Sequence, residues 1–190
     1  MSTPSLRQQM LNCHRCEELS CGRKNVVIGE GPVPCNLVFL GEAPGEQEDE
    51  KGTPFCGASG THLRMTAEIA GLKKGMYHTL NTLKCRPPEN RKPTTEELKN
   101  CHGYLLKQLH AVKPKLIVAL GCFAHAAAMD LPPTRIRVTK NAGKIVQFKD
   151  LDIPCLLTYH PSFILRMRNT DINRAFTSHL RRARRIAYVL

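Results

Sequence analysis

Four of the nine cysteines in this 190-residue sequence have the spacing of ligands to a metal centre. Cys13 and Cys16 form a C-x-x-C pair that can bind one centre from a single turn, and Cys85 and Cys101 can add thiolates from a loop and the helix that follows it. Four thiolates suit zinc or an iron–sulfur cluster, and their spacing does not distinguish the two. Cys101 taken alone would be a core residue on an apolar helical stripe, and Cys21 is close enough to be a rival ligand.

A second group of polar residues follows the predicted strands. The loop GEAPGEQEDEKGTPFCGASG (residues 41–60) carries five carboxylates and one aromatic side chain, and it follows the apolar run 37–40. Asn81 and His160 each follow another apolar run. Because ligands of open α/β sheets bind outside the carboxyl ends of the strands, we predict one active site built from these three distant segments.

The elements that position these residues alternate between strand and helix. Strands are predicted near residues 37–40, 76–80, 115–121 and 154–159, with helices near 63–70, 94–113, 122–129 and 171–190. The pattern predicts an α/β three-layer fold in which helices flank a central, mostly parallel four-stranded sheet. Thr94 and Glu97 form a predicted capping box. Residues 132–149 are basic and turn-prone, with a hairpin expected around Asn141-Ala142-Gly143.

The chain is strongly basic, with a formal net charge of +12 and a pI near 9.5. A well-solvated surface is one interpretation, and a polyanionic partner is the other. The uneven distribution favours the polyanion, because residues 156–190 contain seven arginines and one acid. The sequence MSTPSLRQQM has no apolar leader and no run approaches the length of a membrane span, so we expect a cytoplasmic protein with reduced cysteines.

Several motifs together resemble one enzyme family. The loop 41–60, the run NTLKCRPPENRKP (81–93), the four cysteines and the run YHPSFILR (159–166) strongly resemble the family 4 uracil-DNA glycosylases, which are the iron–sulfur members of their superfamily. The match runs from about Cys13 to Arg168 in order and with compatible gaps. It implies a single uracil-DNA glycosylase domain over residues 1–190, in which a 4Fe-4S cluster is bound by Cys13, Cys16, Cys85 and Cys101.

The resemblance also implies an activity. The expected enzyme is a monofunctional, monomeric DNA glycosylase that flips uracil out of single- or double-stranded DNA and hydrolyses its N-glycosidic bond at the start of base excision repair. A monofunctional mechanism is favoured since no lysine in the motif loops stands out as a Schiff-base nucleophile, with Lys51 and Lys84 as weak exceptions. Two alternatives stay open: a glycosylase for another deaminated base such as hypoxanthine, and a metal-stabilised DNA-binding protein without catalysis.

Within this resemblance, the base pocket has assigned roles. Phe55 would stack on the extruded ring, and Asn81 would pair with the Watson–Crick edge of uracil, which would exclude cytosine. His160 would donate a hydrogen bond to uracil O2 as negative charge develops there. Gly41 and Ala43 belong to the same predicted substrate-binding set.

The acidic loop supplies the catalytic candidates Glu42 and Glu48. Either would stabilise the sugar cation or orient water, and Glu48 has the alternative role of blocking the methyl group of thymine. Better-known superfamily relatives carry a catalytic Asp at the position of Ala43, so their mechanism does not transfer directly. Asp49, with Glu46 and Glu50, is expected to face solvent or cap the next helix.

Further residues are expected to contact DNA. The loop after His160 would press an apolar wedge into the duplex, with Phe163, Ile164 and Leu165 as candidates and core packing as the alternative. The predicted DNA-binding set is Arg86, Lys140, Lys144, Ser162, Phe163, Ile164, Leu165 and Arg166, with Arg91, Lys92 and Arg168 as further candidates for phosphates. On the C-terminal helix, Arg174, Arg181 and Arg185 would share one face, as a solvated surface or as an added DNA contact.

Overall fold

The computed structural model describes residues 5–189. In this part of the chain, five strands and nine α-helices alternate along the sequence, joined by loops and two short 3-10 helices. The strands are β1 (Leu37–Gly41), β2 (His78–Asn81), β3 (Leu116–Leu120), β4 (Ile145–Phe148) and β5 (Ile153–Thr158). The helices are α1 (Leu6–Leu11), α2 (Glu17–Gly22), α3 (Glu46–Lys51), α4 (Ala58–Ile69), α5 (Thr95–Val112), α6 (Gly121–Met129), α7 (Val138–Asn141), α8 (Pro161–Met167) and α9 (Thr170–Tyr188).

The central sheet has the strand order β2-β1-β3-β5-β4. The pairings β1–β2, β1–β3 and β3–β5 are parallel, and β4 pairs antiparallel with β5 at the edge. The mostly parallel α/β fold is therefore confirmed, with five strands instead of the predicted four. The fifth strand was missed because most of its side chains are exposed or half-buried and basic residues flank it on both sides.

The predicted hairpin is present, but its turn lies elsewhere. The turn spans residues 149–152, between β4 and β5, whereas the expected turn residue Asn141 ends α7. The prediction around Asn141-Ala142-Gly143 is thus wrong. Gly143 instead adopts a positive φ of 87° and donates its N–H to the carbonyl of Leu157 on β5.

Helices cover both faces of the sheet. Leu37 and Phe39 of β1 point to one core layer, where they meet Leu63 of α4 and Phe176 of α9. The alternate residues of β1 point to the opposite layer, which includes Leu105 of α5. This alternation follows from the period of two along a strand, and burial on both faces explains why the parallel strands read as continuous apolar runs.

The helix ends are fixed by local hydrogen bonds. The predicted capping box is confirmed: Glu97 N–H donates to Thr94 Oγ1 (3.2 Å), and Thr94 N–H donates to Glu97 Oε2 (2.7 Å).

The N-terminal segment is held against α5, where the Tyr104 hydroxyl donates to the carbonyl of Gln9 and the Arg15 guanidinium lies 4.6 Å from the Tyr104 ring centroid. Across residues 5–189, no helix has both the length and the apolar character needed to cross a bilayer.

Candidate active site

A cleft of about 760 Å³ opens at the carboxyl ends of the parallel strands. It is lined by the loop after β1, the end of β2, the start of α6 and the segment that opens α8. The structure thus brings together the three segments that the sequence predicted to meet. The predicted pocket residues among its lining are Glu42, Ala43, Glu48, Phe55, Asn81 and His160.

Gly41 makes space at the base of this cleft. It is paired with Asn81 in the β1–β2 register. A Cβ atom at position 41 would lie 2.4 Å from Asn81 Oδ1 and 2.6 Å from Phe55 Cζ, closer than van der Waals contact permits. The absence of a side chain therefore allows the amide and the aromatic ring to stand side by side.

Phe55 is held in a strained backbone conformation. Its φ is 54°, in the left-handed region that a bulky side chain rarely occupies, and the residue is buried. Arg64 Nη1 donates to its carbonyl oxygen at 2.6 Å, which fixes this turn from α4. Strain of this kind persists where the surrounding structure enforces it, as it often does in binding sites. The ring faces that of His160, with centroids 6.5 Å apart and planes 28° from parallel.

Asn81 has a buried side chain whose polar atoms are free for a ligand. The residue is 5% exposed, and its amide makes no hydrogen bond to any residue between 5 and 189. Its main-chain carbonyl, in contrast, accepts a hydrogen bond from Lys84 Nζ at 2.5 Å. Because Asn81 lines the cleft and its amide has no protein partner, both the amide oxygen and the amide nitrogen are available to a ligand.

His160 is oriented by the helix that it begins. It is the N-cap of α8, and its Nδ1 accepts a hydrogen bond from the Ser162 N–H at 3.2 Å, with Ser162 Oγ 2.8 Å away. Burial, assisted by the charge of Arg166, lowers the His160 pKa to about 4. The ring is therefore neutral at pH 7, and because Nδ1 accepts, the proton is assigned to Nε2 as a donor. Gly121 permits this packing, since a Cβ there would lie 2.8 Å from His160 Cβ.

The two candidate glutamates differ in their hydrogen bonding. Both Glu48 oxygens are engaged: Oε2 accepts from Gly45 N–H (3.1 Å) and Oε1 accepts from Gly57 N–H (3.3 Å). Between residues 5 and 189, the Glu42 carboxylate has no hydrogen bond, although it lines the same cleft. Desolvation by burial raises the Glu42 pKa, against the opposing charges of Lys92 and Arg166. Glu48 thus connects the two ends of the acidic loop, and Glu42 is the carboxylate free to act.

Asp49 corrects one expectation for the loop. It is 1% exposed and accepts hydrogen bonds from the Lys24 and Asn25 N–H groups at 3.0–3.1 Å. The predicted solvent-facing or helix-capping role is wrong for this residue, because its carboxylate instead binds the N-terminal segment to α3. Glu46 and Glu50 are exposed, as expected.

A second pocket gathers the four predicted cysteines. Cys13, Cys16, Cys85 and Cys101 all line it, whereas Cys21 is exposed and is not among its lining residues. Arg23 Nη1 donates to Cys85 Sγ at 3.0 Å. Within residues 5–189, no group of three or more His, Cys, Asp or Glu side chains converges on a point where a single metal ion would be held. The four thiols nevertheless line the same pocket.

The environment of these thiols is buried and largely apolar. The apolar residues around them are Met10, Leu19, Val26 and Leu83. Burial raises the Cys101 pKa to about 11, and it also raises the pKa values of Cys16 and Cys85. Thiols at such sites become thiolates when a cationic metal group binds them, so binding is coupled to proton release.

Comparison with known proteins identifies the family. Residues 28–184 match the model of the uracil DNA glycosylase superfamily. A type-4 uracil-DNA glycosylase of Thermotoga maritima is 35% identical over 93% of this chain and 90% of its own length. Proteins of the same name from Pyrobaculum aerophilum and Archaeoglobus fulgidus are each 38% identical, over 87% and 86% of this chain and 86% and 83% of their own lengths. The chain belongs to the type-4 branch of the uracil-DNA glycosylase superfamily.

Around the glycosylase cleft, the structure separates the wedge candidates. Ile164 is 3% exposed and packs into the core with Phe176, which is the core-packing alternative that the sequence left open. Leu165 is 42% exposed. Phe163 lines the cleft and stacks on Tyr159, with ring centroids 6.0 Å apart. The apolar periodicity of α8 accounts for the difference, because one of the three consecutive residues must face the core.

The basic candidates also fall into two groups. Arg91 lines the cleft and is engaged by Glu97 (2.7 and 3.0 Å) and by Glu18 (2.5 Å), so a phosphate would compete with two carboxylates for it. Arg86 is half-buried, donating to Asn90 Oδ1 (2.8 Å) and lying 3.4 Å from Glu46. The remaining predicted contacts lie at the cleft or on the exposed surface: Ser162 and Arg166 line the cleft, with Lys92, and Lys140 and Lys144 are exposed.

Sequence reasoning missed one wall of the glycosylase cleft. Arg137, Val138 and Thr139, at the start of α7, line it. The basic composition of residues 132–149 was the available signal, but the expected hairpin placed the turn in the wrong position. The bond from Arg23 to Cys85 was also missed, since nothing in a sequence pairs residues 62 positions apart.

Proposed function

We propose that this protein excises uracil from DNA by hydrolysing the N-glycosidic bond. The observation that carries the proposal is the Asn81 amide, which has no protein partner and lines the same cleft as Phe55 and neutral His160. The relatives named type-4 uracil-DNA glycosylases support it through 35–38% identity over most of the chain. In this role the enzyme begins the repair of a deaminated cytosine.

Recognition of the base follows from the two sides of the Asn81 amide. A uracil flipped out of the DNA stack presents an acceptor and a donor on its Watson–Crick edge, and one amide can pair with both. Cytosine presents its donor and acceptor in the reverse order, so it would leave polar groups of the site unpaired. Cytosine would therefore bind more weakly than uracil. Phe55 offers an apolar face on which the ring stacks.

Cleavage places negative charge on the base and positive charge on the sugar. The neutral His160 ring would donate from Nε2 to uracil O2, stabilising the leaving base without having to lose a proton. Glu42 would stabilise the sugar cation or orient the attacking water, because its carboxylate is free within the cleft while that of Glu48 is bound to the loop. Lys92 and Arg166 place positive charge near the Glu42 carboxylate. We expect the same two side chains to contact phosphates of the DNA.

We further propose that Cys13, Cys16, Cys85 and Cys101 bind a 4Fe-4S cluster. The donor set fits, since four thiols line one largely apolar pocket and an arginine donates to one sulfur. When bound, the cluster would supply a covalent connection between the N-terminal segment, the loop at Cys85 and α5. The single-domain organisation stays a prediction, supported by one sheet that carries both core layers.

The enzyme is proposed to be monofunctional. Lys84 is buried and lines the cysteine pocket, and Lys51 is exposed and outside the cleft lining. Neither amine is placed to attack the sugar. Treatment with borohydride during the reaction should therefore give no covalent protein–DNA product; a trapped product would show Schiff-base chemistry, for which Lys92 in the cleft would be the first residue to test.

Hypoxanthine is the second candidate base, because its edge offers the same acceptor and donor to Asn81. Purified protein with its metal centre intact should be given oligonucleotides that carry one uracil, hypoxanthine, thymine or cytosine, single-stranded and in duplex. Release of uracil, with no release of thymine or cytosine, is the expected result. A protein that binds the DNA but releases no base would overturn the proposal in favour of a non-catalytic DNA-binding protein.

A further inference from the structure

Five consecutive residues connect the uracil cleft with the cysteine pocket. Asn81 lines the cleft, Cys85 lines the cysteine pocket, and Lys84 is the residue whose side chain spans the space between them. We propose that Lys84 is a positioning residue, which fixes Asn81 for uracil and is itself held by the negative charge of the metal–thiolate centre. This inference rests on the proposed function and on the proposed cluster.

The geometry of the turn supports this role. Lys84 is 2% exposed, and its Nζ donates to the Asn81 carbonyl at 2.5 Å. The Lys84 carbonyl accepts from the Val27 N–H at 2.7 Å. The Lys84 side chain therefore connects the two ends of the turn 81–85, and a main-chain hydrogen bond from Val27 holds Lys84 in place. Because that connection ends on the main-chain carbonyl of Asn81, its loss would remove one of the hydrogen bonds that fix the orientation of this residue.

The same turn also holds the catalytic loop. Thr82 and Leu83 donate their N–H groups to the carbonyls of Gly41 and Glu42, both at 3.0 Å, and Thr82 Oγ1 donates to the Glu42 carbonyl at 2.5 Å. A movement of the turn 81–85 would thus shift two residues of the cleft, Asn81 and Glu42. This coupling requires no contact between the cluster and the substrate.

Charge explains why a lysine is present at this buried place. Among residues 5–189, no Asp or Glu forms an ion pair with Lys84. Its electrostatic neighbours are the sulfurs of Cys101 and Cys85. Burial of an ammonium group is unfavourable unless a counter-charge lies near it. Four thiolates around a cluster carry net negative charge, so the metal centre would provide the counter-charge and the lysine would offset part of its negative potential.

Two measurements on the cluster-loaded protein test this coupling in Lys84→Met. The first is the reduction potential of the cluster, measured by spectroelectrochemistry. Removal of a nearby positive charge should make this reduction potential more negative. The second is the Kd for a single-stranded oligonucleotide carrying 2′-fluoro-2′-deoxyuridine, relative to the same oligonucleotide with thymidine. Loss of the hydrogen bond that fixes Asn81 should weaken the uracil preference about tenfold.

Leu109→Ala provides the matched control for packing. Leu109 is fully buried on α5, two turns beyond Cys101, and does not line the cysteine pocket. This variant should lose thermal stability while the potential and the uracil preference stay at wild-type values. If Lys84→Met does not accumulate as folded protein, Lys84→Gln, which retains a donor without the charge, should still show the negative shift in potential.

The outcomes separate this inference from the proposed function. An unchanged potential and uracil preference in the Lys84 variant would overturn the coupling, as would equal shifts in Leu109→Ala. A wild-type protein with no preference for the uracil analogue would overturn the proposed function instead, and the potentials would still report whether Lys84 and the cluster interact.

Discussion

The cleft and the cysteine pocket differ in how their polar groups are satisfied. In the cleft, the Asn81 amide and the Glu42 carboxylate have no hydrogen-bond partner among residues 5–189. In the cysteine pocket, apolar residues surround the thiols and Arg23 already donates to Cys85. Groups without partners are suited to a ligand that enters and leaves, whereas four thiols in one largely apolar pocket are suited to a group that stays bound. The two regions meet in the turn 81–85, so each can be altered while the other is observed.

The largest effect is expected from a substitution in the cysteine pocket. Cys85→Ser should abolish loading of the proposed cluster and cause extensive loss of folded protein, because the cluster would lose one of its four thiolate ligands. Iron content, visible absorption and thermal unfolding measure this. Cys21→Ser is the matched control, since Cys21 is exposed and outside the pocket. A Cys85→Ser protein with wild-type iron content would contradict the assignment of the four ligands.

In the cleft, the two glutamates should separate catalysis from stability. Glu42→Gln is expected to reduce the single-turnover rate about 100-fold with little change in thermal unfolding, since its carboxylate is free in the cleft where the sugar would react. Glu48→Gln should chiefly lower stability, because it weakens two hydrogen bonds that close the acidic loop. Single-turnover rates and melting temperatures on the same preparations decide this, and a reversed pattern would assign the catalytic role to Glu48.

The dependence of the rate on pH tests the protonation states in the cleft. The His160 pKa is lowered to about 4, so the ring stays neutral and the rate should not fall between pH 6 and 8. The Glu42 pKa is raised above its usual 4.5, so activity should be lost as the pH falls through that raised value, and Glu42→Gln should lack this acid limb. A rate that falls steadily from pH 6 to 8 would indicate that a cationic imidazole is required.

The smallest effect concerns the loop that would enter the duplex. Leu165→Ala should reduce excision several-fold from double-stranded DNA and leave single-stranded DNA nearly unaffected, because an exposed wedge replaces the flipped base only within a duplex. Ile164→Ala should instead lower the free energy of unfolding by about 2–4 kcal/mol, as a large-to-small change in the core does. Equal effects of Leu165→Ala on both substrates would argue against a wedge at this position.

The sequence predicted those parts of the molecule that local patterns encode. Buried strands appear as apolar runs, and parallel strands place the residues after them at one edge, so the meeting of Glu42, Asn81 and His160 could be expected. The capping box at Thr94 is equally local. The edge strand Ile145–Phe148 was missed since it is only partly buried and its run is short.

Other features depend on contacts between distant residues. The burial of Ile164 beside exposed Leu165 depends on the angle at which α8 meets the core, which three consecutive apolar residues do not specify. The engagement of Glu48 by two main-chain N–H groups and of Asp49 by the N-terminal segment likewise follows from how the loop closes. Composition identified the acidic loop, but tertiary hydrogen bonding divides its carboxylates between structure and chemistry.

The central claim is that Asn81 recognises uracil in the cleft where the N-glycosidic bond of that uracil is hydrolysed. The most direct test is the single-turnover rate of uracil release from single-stranded DNA by wild type, Asn81→Ala and Asn173→Ala, each with its metal centre intact. Asn173 is an exposed residue of α9 outside the cleft and serves as the matched control. The account predicts uracil release by wild type, a loss of about 100- to 1000-fold in Asn81→Ala and a wild-type rate in Asn173→Ala. No release by wild type, or an undiminished rate in Asn81→Ala, would contradict it.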